Sequence, residues 1–288
     1  MTKTKDNRNI IVLDMGIGGL SVLNSLKQEL VDETIVYIND LDIENYEGME
    51  FYDIERRIEI LIERALKYNP KLLVLVNDTL IEYGKDYFEK IDIDKVYIVD
   101  EIIDYVNQNY ELKNMAFFAP QGIIESNMYQ KNFKYTRLYN LNADNMNRSL
   151  SNALMKTSES FSDMKLALLP IYKKELDVIV STIPNMLLFQ TEIYEYVKSR
   201  DVDIIPLDKI ILDATLKKLK LIREELNDVK IEGLKAKKIN IVLKDSENIK
   251  KGLFKNKYLA KESSKKHIIE KILNQKYNII TRFIFYRF

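Results

Sequence analysis

Short apolar runs alternate with amphipathic stretches along most of this chain. Ile10–Leu13, Ile35–Ile38, Leu72–Val76, Val96–Val99 and Met115–Ala119 are apolar, carry β-branched or aromatic residues and are too short for buried helices, so each predicts a strand. Between the second and third of them, Phe51–Leu66 places Ile54, Ile58, Leu61, Ile62 and Leu66 on one helical face. A second series begins at Tyr135–Leu138 and continues through Val178–Val180 and Asp203–Ile205. Strands alternating with helices predict an α/β fold with mostly parallel sheets flanked by helices. Two such series predict two lobes with a cleft between them.

In open parallel sheets, ligands collect outside the carboxyl ends of the strands. Asp14, Asp40, Asn77, Asp78, Pro120 and Ser181 all fall at such ends. After the first strand, Gly16, Gly18 and Gly19 allow a tight turn into a helix whose amides can receive a carboxylate. A glycine turn of this kind is equally often purely structural. Asp14 and Asp78 leave three alternatives open: a magnesium site with Asp40 as third ligand, a site for an amine or cation, or one carboxyl with a raised pKa acting as general acid or base. The plainer alternative is that each caps the helix that follows it.

Four blocks in order identify a resemblance covering residues 9 to 256. Asp14-Met-Gly-Ile-Gly-Gly-Leu20 resembles the Asp-Ser-Gly-Val-Gly-Gly-Leu turn of glutamate racemases, members of the aspartate/glutamate racemase superfamily. Leu73-Val-Leu-Val-Asn-Asp-Thr79 is similar to Leu-Val-Val-Ala-Cys-Asn-Thr, with Asn77 at the first catalytic cysteine. Phe117 to Tyr129 follows Val-Leu-Ala-Thr-Glu-Gly-Thr-Ile-Ala-Ser-Gly-Ala-Tyr, with Pro120 and Ile123 at two substrate-binding threonines. Asp177 to Leu187 aligns with Leu-Ile-Leu-Gly-Cys-Thr-His-Tyr-Pro-Leu-Leu, which puts Ser181 at the second cysteine and Ile183 at the neighbouring histidine.

The resemblance implies a two-lobe racemase fold. It also implies that Asp14, Gly16, Tyr46, Asp78, Thr79 and Thr182 occupy ligand-binding positions, Asp14 beside the substrate amino group and the two threonines near its carboxylate. The family activity would imply a role in peptidoglycan precursor supply. The chain departs from it at the chemistry. It contains no cysteine, so thiol-based racemisation, disulfides and thiolate metal sites are excluded together. Asn77 cannot ionise, and Ser181 lacks the histidine that could activate it. The single histidine, His267, lies beyond the resembling segment. Met15 stands at the family's binding serine and Asp78 at its binding asparagine. A second carboxylate beside Asp14 is expected to repel a dicarboxylate such as glutamate.

The leading expectation is therefore a racemase homologue that binds a small amino-acid-like or cationic ligand, or a partner, without catalysis. One alternative is an amino-acid isomerase or lyase using Asp14 and Asp78, with Thr79 and Thr182 orienting the substrate. No cofactor and no metal are expected. By resemblance, a homodimer is.

Composition adds one asymmetry. The 44 basic and 44 acidic residues balance, yet residues 250–288 hold eleven Lys or Arg against Glu262 and Glu270, a net +9 that leaves −9 on the preceding 249 residues. Such a tail docks on its own acidic body, on a protein or on nucleic acid, the last being a further alternative function. Within it, Glu262–Asn274 predicts a helix and Tyr277–Phe288 a strand. The expected organisation is a first lobe over 1–112 completed by about 226–256, a second over 113–225, and a basic extension over 257–288. No apolar run reaches the roughly 18 to 20 residues of a membrane span, and the polar N-terminus lacks a signal-peptide core, so a cytoplasmic protein is expected.

Overall fold

The structure, a computed structural model, describes residues 7–16, 18–30, 33–40, 50–151, 154, 156–225, 238–244 and 282–286. The first part of the chain runs β1 (Asn9–Asp14), α1 (Gly19–Glu29), β2 (Thr34–Asp40), α2 (Phe51–Leu66), β3 (Pro70–Leu75), α3 (Asp78–Glu89), β4 (Asp94–Tyr97) and α4 (Ile98–Asn109). The second part runs β5 (Lys113–Ala119), α5 (Gln121–Ser126), β6 (Tyr135–Asn142), α6 (Asp144–Ser151), α7 (Ser158–Leu168), β7 (Val178–Ser181), α8 (Gln190–Val197) and β8 (Asp203–Ile204). Helix α9 (Leu207–Glu225) leads back to β9 (Lys238–Lys244), and β10 (Arg282–Tyr286) comes last.

These strands form two parallel sheets. One is ordered β10-β9-β2-β1-β3-β4 and the other β6-β5-β7-β8. Strand β1 lies mid-sheet between β2 and β3, which is why its apolar run is continuous: both of its faces are covered. Helix α2 matches its predicted span and buries Ile54, Ile58, Leu61 and Ala65. It crosses α3 at Gly84, where an added Cβ would lie 3.0 Å from the Phe88 ring and 3.3 Å from Ile58. In the second unit, Phe117 of β5 packs edge-on against Phe133, which stacks on Tyr129 with ring centres 5.4 Å apart.

One predicted boundary moves. The run Val96–Val99 ends as strand at Tyr97, and Ile98 and Val99 begin α4. Asp100 and Glu101 favour a helix start there through its N-terminal dipole, and Ile98 and Val99 stay buried because the helix leaves directly from the sheet. Segment Lys238–Leu243 falls in β9, which pairs in parallel with β2 and so returns the chain's C-terminal part to the first sheet. The last strand extends that sheet as its outer edge, paired with β9 over Arg282–Tyr286. The helix expected at Glu262–Asn274 lies outside the described residues, as does His267.

Candidate functional site

The site forms where the carboxyl ends of β1, β3, β5 and β7 converge between the two units. Asp14 ends β1 and is buried, and its carboxylate gathers several donors. Oδ1 accepts from the Met15 amide at 2.7 Å and from Asn77 Nδ2 at 3.5 Å. Oδ2 accepts from the Gly19 amide at 2.8 Å and from the Tyr37 hydroxyl at 2.7 Å. Burial raises the Asp14 pKa above the ordinary carboxylate value, and the hydrogen bonds from Tyr37, Gly19 and Met15 pull it back. The Tyr37 phenol, buried against this carboxylate, is pushed well up. Asp14 therefore closes its own glycine turn: the Gly19 amide at the start of α1 is occupied from within the chain. The Gly16 carbonyl accepts from Tyr37 at 2.9 Å and from Asn39 Nδ2. An added Cβ on Gly18 would lie 2.2 Å from the Asn185 amide nitrogen, so the turn of the first unit is pressed against the segment following β7. Asn185 is held in turn by donating to Asn147 Oδ1 at 2.8 Å.

Asn77 caps α3. Its Oδ1 accepts from the Leu80 amide at 2.9 Å, the usual duty of an asparagine at this place. Asp78, the first residue of α3, is completely buried. Its Oδ1 accepts from the Thr79 amide at 2.8 Å, and its Oδ2 lies 3.1 Å from the Thr182 hydroxyl of the second unit. Burial pushes the Asp78 carboxyl up to about 7 against the polar Thr182 hydroxyl and the hydrogen bond from the Thr79 amide, and the nearby Asp14 charge adds to the rise. At neutral pH a large share of Asp78 is therefore uncharged, which weakens the repulsion of a dicarboxylate expected from two neighbouring carboxylates.

Thr182, fully buried, places its hydroxyl 2.6 Å from the Phe118 carbonyl. Ser181 is buried and donates at 3.4 Å to the Ile183 carbonyl. The Ile183 side chain joins the apolar core, as does that of Ile123. Thr79 is half-buried at the same edge. Tyr46 and the side chain of Asp40 lie outside the described residues.

Asp14, Gly16, Asn77, Asp78 and Thr182 are thus brought together in a connected polar patch. Among the described residues no three His, Cys, Asp or Glu side chains are placed to hold a metal ion. Three members escaped sequence reasoning. Tyr37 and Asn39 alternate along β2 and present the same face to the glycine turn, a period-two signal hidden inside an apolar run. Tyr129 closed a resembling block, but nothing in the sequence marked its hydroxyl as part of the site. Its hydroxyl is buried beside Thr182 and Asp78, close enough for both to act on its ionisation.

Known proteins agree with this architecture. No family model matches the chain. A glutamate racemase of Lactobacillus acidophilus is 26% identical over 211 residues, covering 71% of this chain and 79% of that protein. A Staphylococcus epidermidis glutamate racemase is 23% identical, but the match spans only 48% of its length. Among solved structures, a Bacillus anthracis glutamate racemase isoform superposes with a TM-score of 0.74 at 21% identity, covering 96% of this chain and 97% of that one. The Francisella tularensis glutamate racemase, solved with D-glutamate, gives 0.73 at 15% identity, with 98% of each chain covered. The protein has the aspartate/glutamate racemase fold. Within that class it is a homologue of the glutamate racemases in sequence as well as in structure.

Proposed function

We propose that this protein is a glutamate racemase homologue whose interlobe site binds a small amino-acid-like or cationic ligand and does not racemise it. The observation that carries this reading is the use of Asn77. At the position of the first cysteine stands a side chain that cannot ionise, whose oxygen caps α3 and whose amide reaches Asp14. Ser181, at the second, donates to the Ile183 carbonyl and has no other hydrogen bond among the described residues. Neither residue can move a proton to or from Cα. The ligand class rests on the relatives, one of which was solved with D-glutamate and another, from Escherichia coli, with L-glutamate and the activator UDP-MurNAc-Ala. In this reading the protein works in the cytoplasm. No helix among the described residues is long and apolar enough to cross a membrane.

Proton exchange at Cα of D- and L-glutamate and aspartate, followed by NMR in D₂O, tests the proposal. The expected result is no exchange above that of the Asp14→Asn variant. Exchange that disappears in that variant would overturn it in favour of a second reading, which the Asp78 carboxyl supports. A buried acid pushed up to about 7 is suited to single-base isomerase or lyase chemistry, with Asp14 as its partner and Thr79 and Thr182 orienting the substrate. In that case Asp78→Asn abolishes the exchange as well.

A further inference from the structure

Where the two units meet, the protons can be counted. Thr182 Oγ1 carries one hydrogen and lies 2.6 Å from the Phe118 carbonyl oxygen and 3.1 Å from Asp78 Oδ2. A carbonyl only accepts, so the shorter contact takes the threonine proton. The Asp78 contact is then either two oxygen lone pairs facing each other or a hydrogen bond that Asp78 donates. In a site closed to water, the second arrangement is the stable one, because an unpaired buried polar contact is unfavourable.

The surroundings favour the same proton. Asp78 forms no ion pair among the described residues. The charge facing it from β1 is Asp14, of like sign. Tyr129 faces it from the second unit, and Asp100 of α4 acts on Tyr129 from behind. Lys85 of α3 is turned to Asp100, at 3.0 Å, rather than inward. Asp14 differs in receiving four donors that oppose the effect of its burial, whereas the oxygen of Asp78 that crosses to the second unit meets the Thr182 hydroxyl, whose proton is committed to Phe118. The contact of Gly18 with Asn185 shows how closely the units are pressed together at this seam.

We propose that the Asp78 carboxyl is a proton-operated latch between the two lobes, closed while it donates to Thr182 and loosened when it ionises. The latch goes beyond the proposed binding function and holds whether or not the cleft turns a substrate over. Its direction follows from burial, which raises the carboxyl of the closed form from an ordinary value near ~4 to about 7. The closed form therefore binds the proton more tightly than the open form. Its stabilisation is complete below the ordinary carboxylate value and is lost as pH rises through about 7.

Amide hydrogen exchange of the full chain, corrected for the intrinsic pH dependence of exchange, reads the latch at Gly18–Leu20 and Thr182–Met186, with the β1 core amides as internal reference. In the unmodified protein, opening at the seam is expected to increase by up to roughly tenfold per pH unit between about pH 5 and 6.5 and to level off above about 7, while the β1 amides do not follow. Asp78→Asn keeps a donor to Thr182 but has no proton to lose, and its profile is expected to be flat. Thr182→Val keeps the shape without the acceptor and is expected to open the seam about fivefold at pH 5. An Asp78→Asn profile that tracks the unmodified protein, or a Thr182→Val seam as protected as the original at pH 5, overturns the proposal. A ¹³C NMR titration of the Asp78 carboxyl in the unmodified protein gives an independent check, and a midpoint at the ordinary carboxylate value also overturns it.

Discussion

Asp14 and Asp78 are two buried carboxyls at neighbouring strand ends of one sheet, and the molecule treats them differently. Asp14 meets two backbone amides, a phenol and a carboxamide, all of which donate. Asp78 meets one backbone amide and, across the lobes, a threonine whose proton already serves Phe118. Both are buried, so burial alone does not decide their charge. The supply of donors differs: hydrogen bonds pull a buried carboxyl back towards its ordinary range, and Asp14 receives more of them than Asp78. The pair thus separates into a carboxyl tied into its own glycine turn and one that reaches across the lobes to a hydroxyl, two environments from which acid/base or switching behaviour can arise.

The contrast breaks first at Asp14. Asp14→Ala would leave the Met15 and Gly19 amides without their acceptor and the Tyr37 hydroxyl with the Gly16 carbonyl alone, and a loss of about 3 kcal/mol is expected in chemical denaturation. Asp14→Asn, which still accepts, should lose clearly less. A loss under about 1 kcal/mol for the alanine variant would show that the turn does not depend on these bonds.

A smaller effect is expected at the seam. Gly18 has φ −64° and ψ −34°, a backbone open to any residue, so the only obstacle to a side chain is Asn185. Gly18→Ala should therefore cost about 2 kcal/mol through overpacking. It should also admit water to Asp78 and move its titration back towards the ordinary range. An unchanged Asp78 midpoint alongside the lost stability would separate seam packing from the acid's environment.

The smallest effect sharpens the contrast at Asn77, which touches both systems. Asn77→Ala removes the cap of α3, and about 1 kcal/mol of stability is expected to go with it. It also withdraws the weakest of Asp14's donors, so the Asp14 carboxyl should rise slightly while Asp78 barely moves, a distinction that NMR titration of the two carboxyls can read.

Much of this architecture was legible in the residues. Strand β1 and helix α2 announce themselves because a mid-sheet parallel strand must be apolar on both faces and a surface helix on one. The positions of Asp14, Asn77, Asp78 and Ser181 at strand ends follow from the same patterns. The end of β4 was not legible, since apolar Ile98 and Val99 fit a buried helical start as well as a strand. Tyr37 looked like core filling, and only its hydroxyl's approach to Asp14 gives it another role. The absence of cysteine is a fact of composition, and it rules out thiol proton transfer in any fold.

By itself, then, the sequence determined the fold class, the set of polar groups available at the strand ends and the chemistry they cannot perform, because apolar periodicity and residue type are local properties. How the Asp78 carboxyl is partnered was decided only by tertiary structure. That depends on a 3.1 Å contact between Asp78 and Thr182, 104 residues apart in the chain, and on where a single hydroxyl proton goes once Phe118 stands beside it. Periodicity says which side of an element faces inward. It carries no information about which inward groups from distant elements will share a proton.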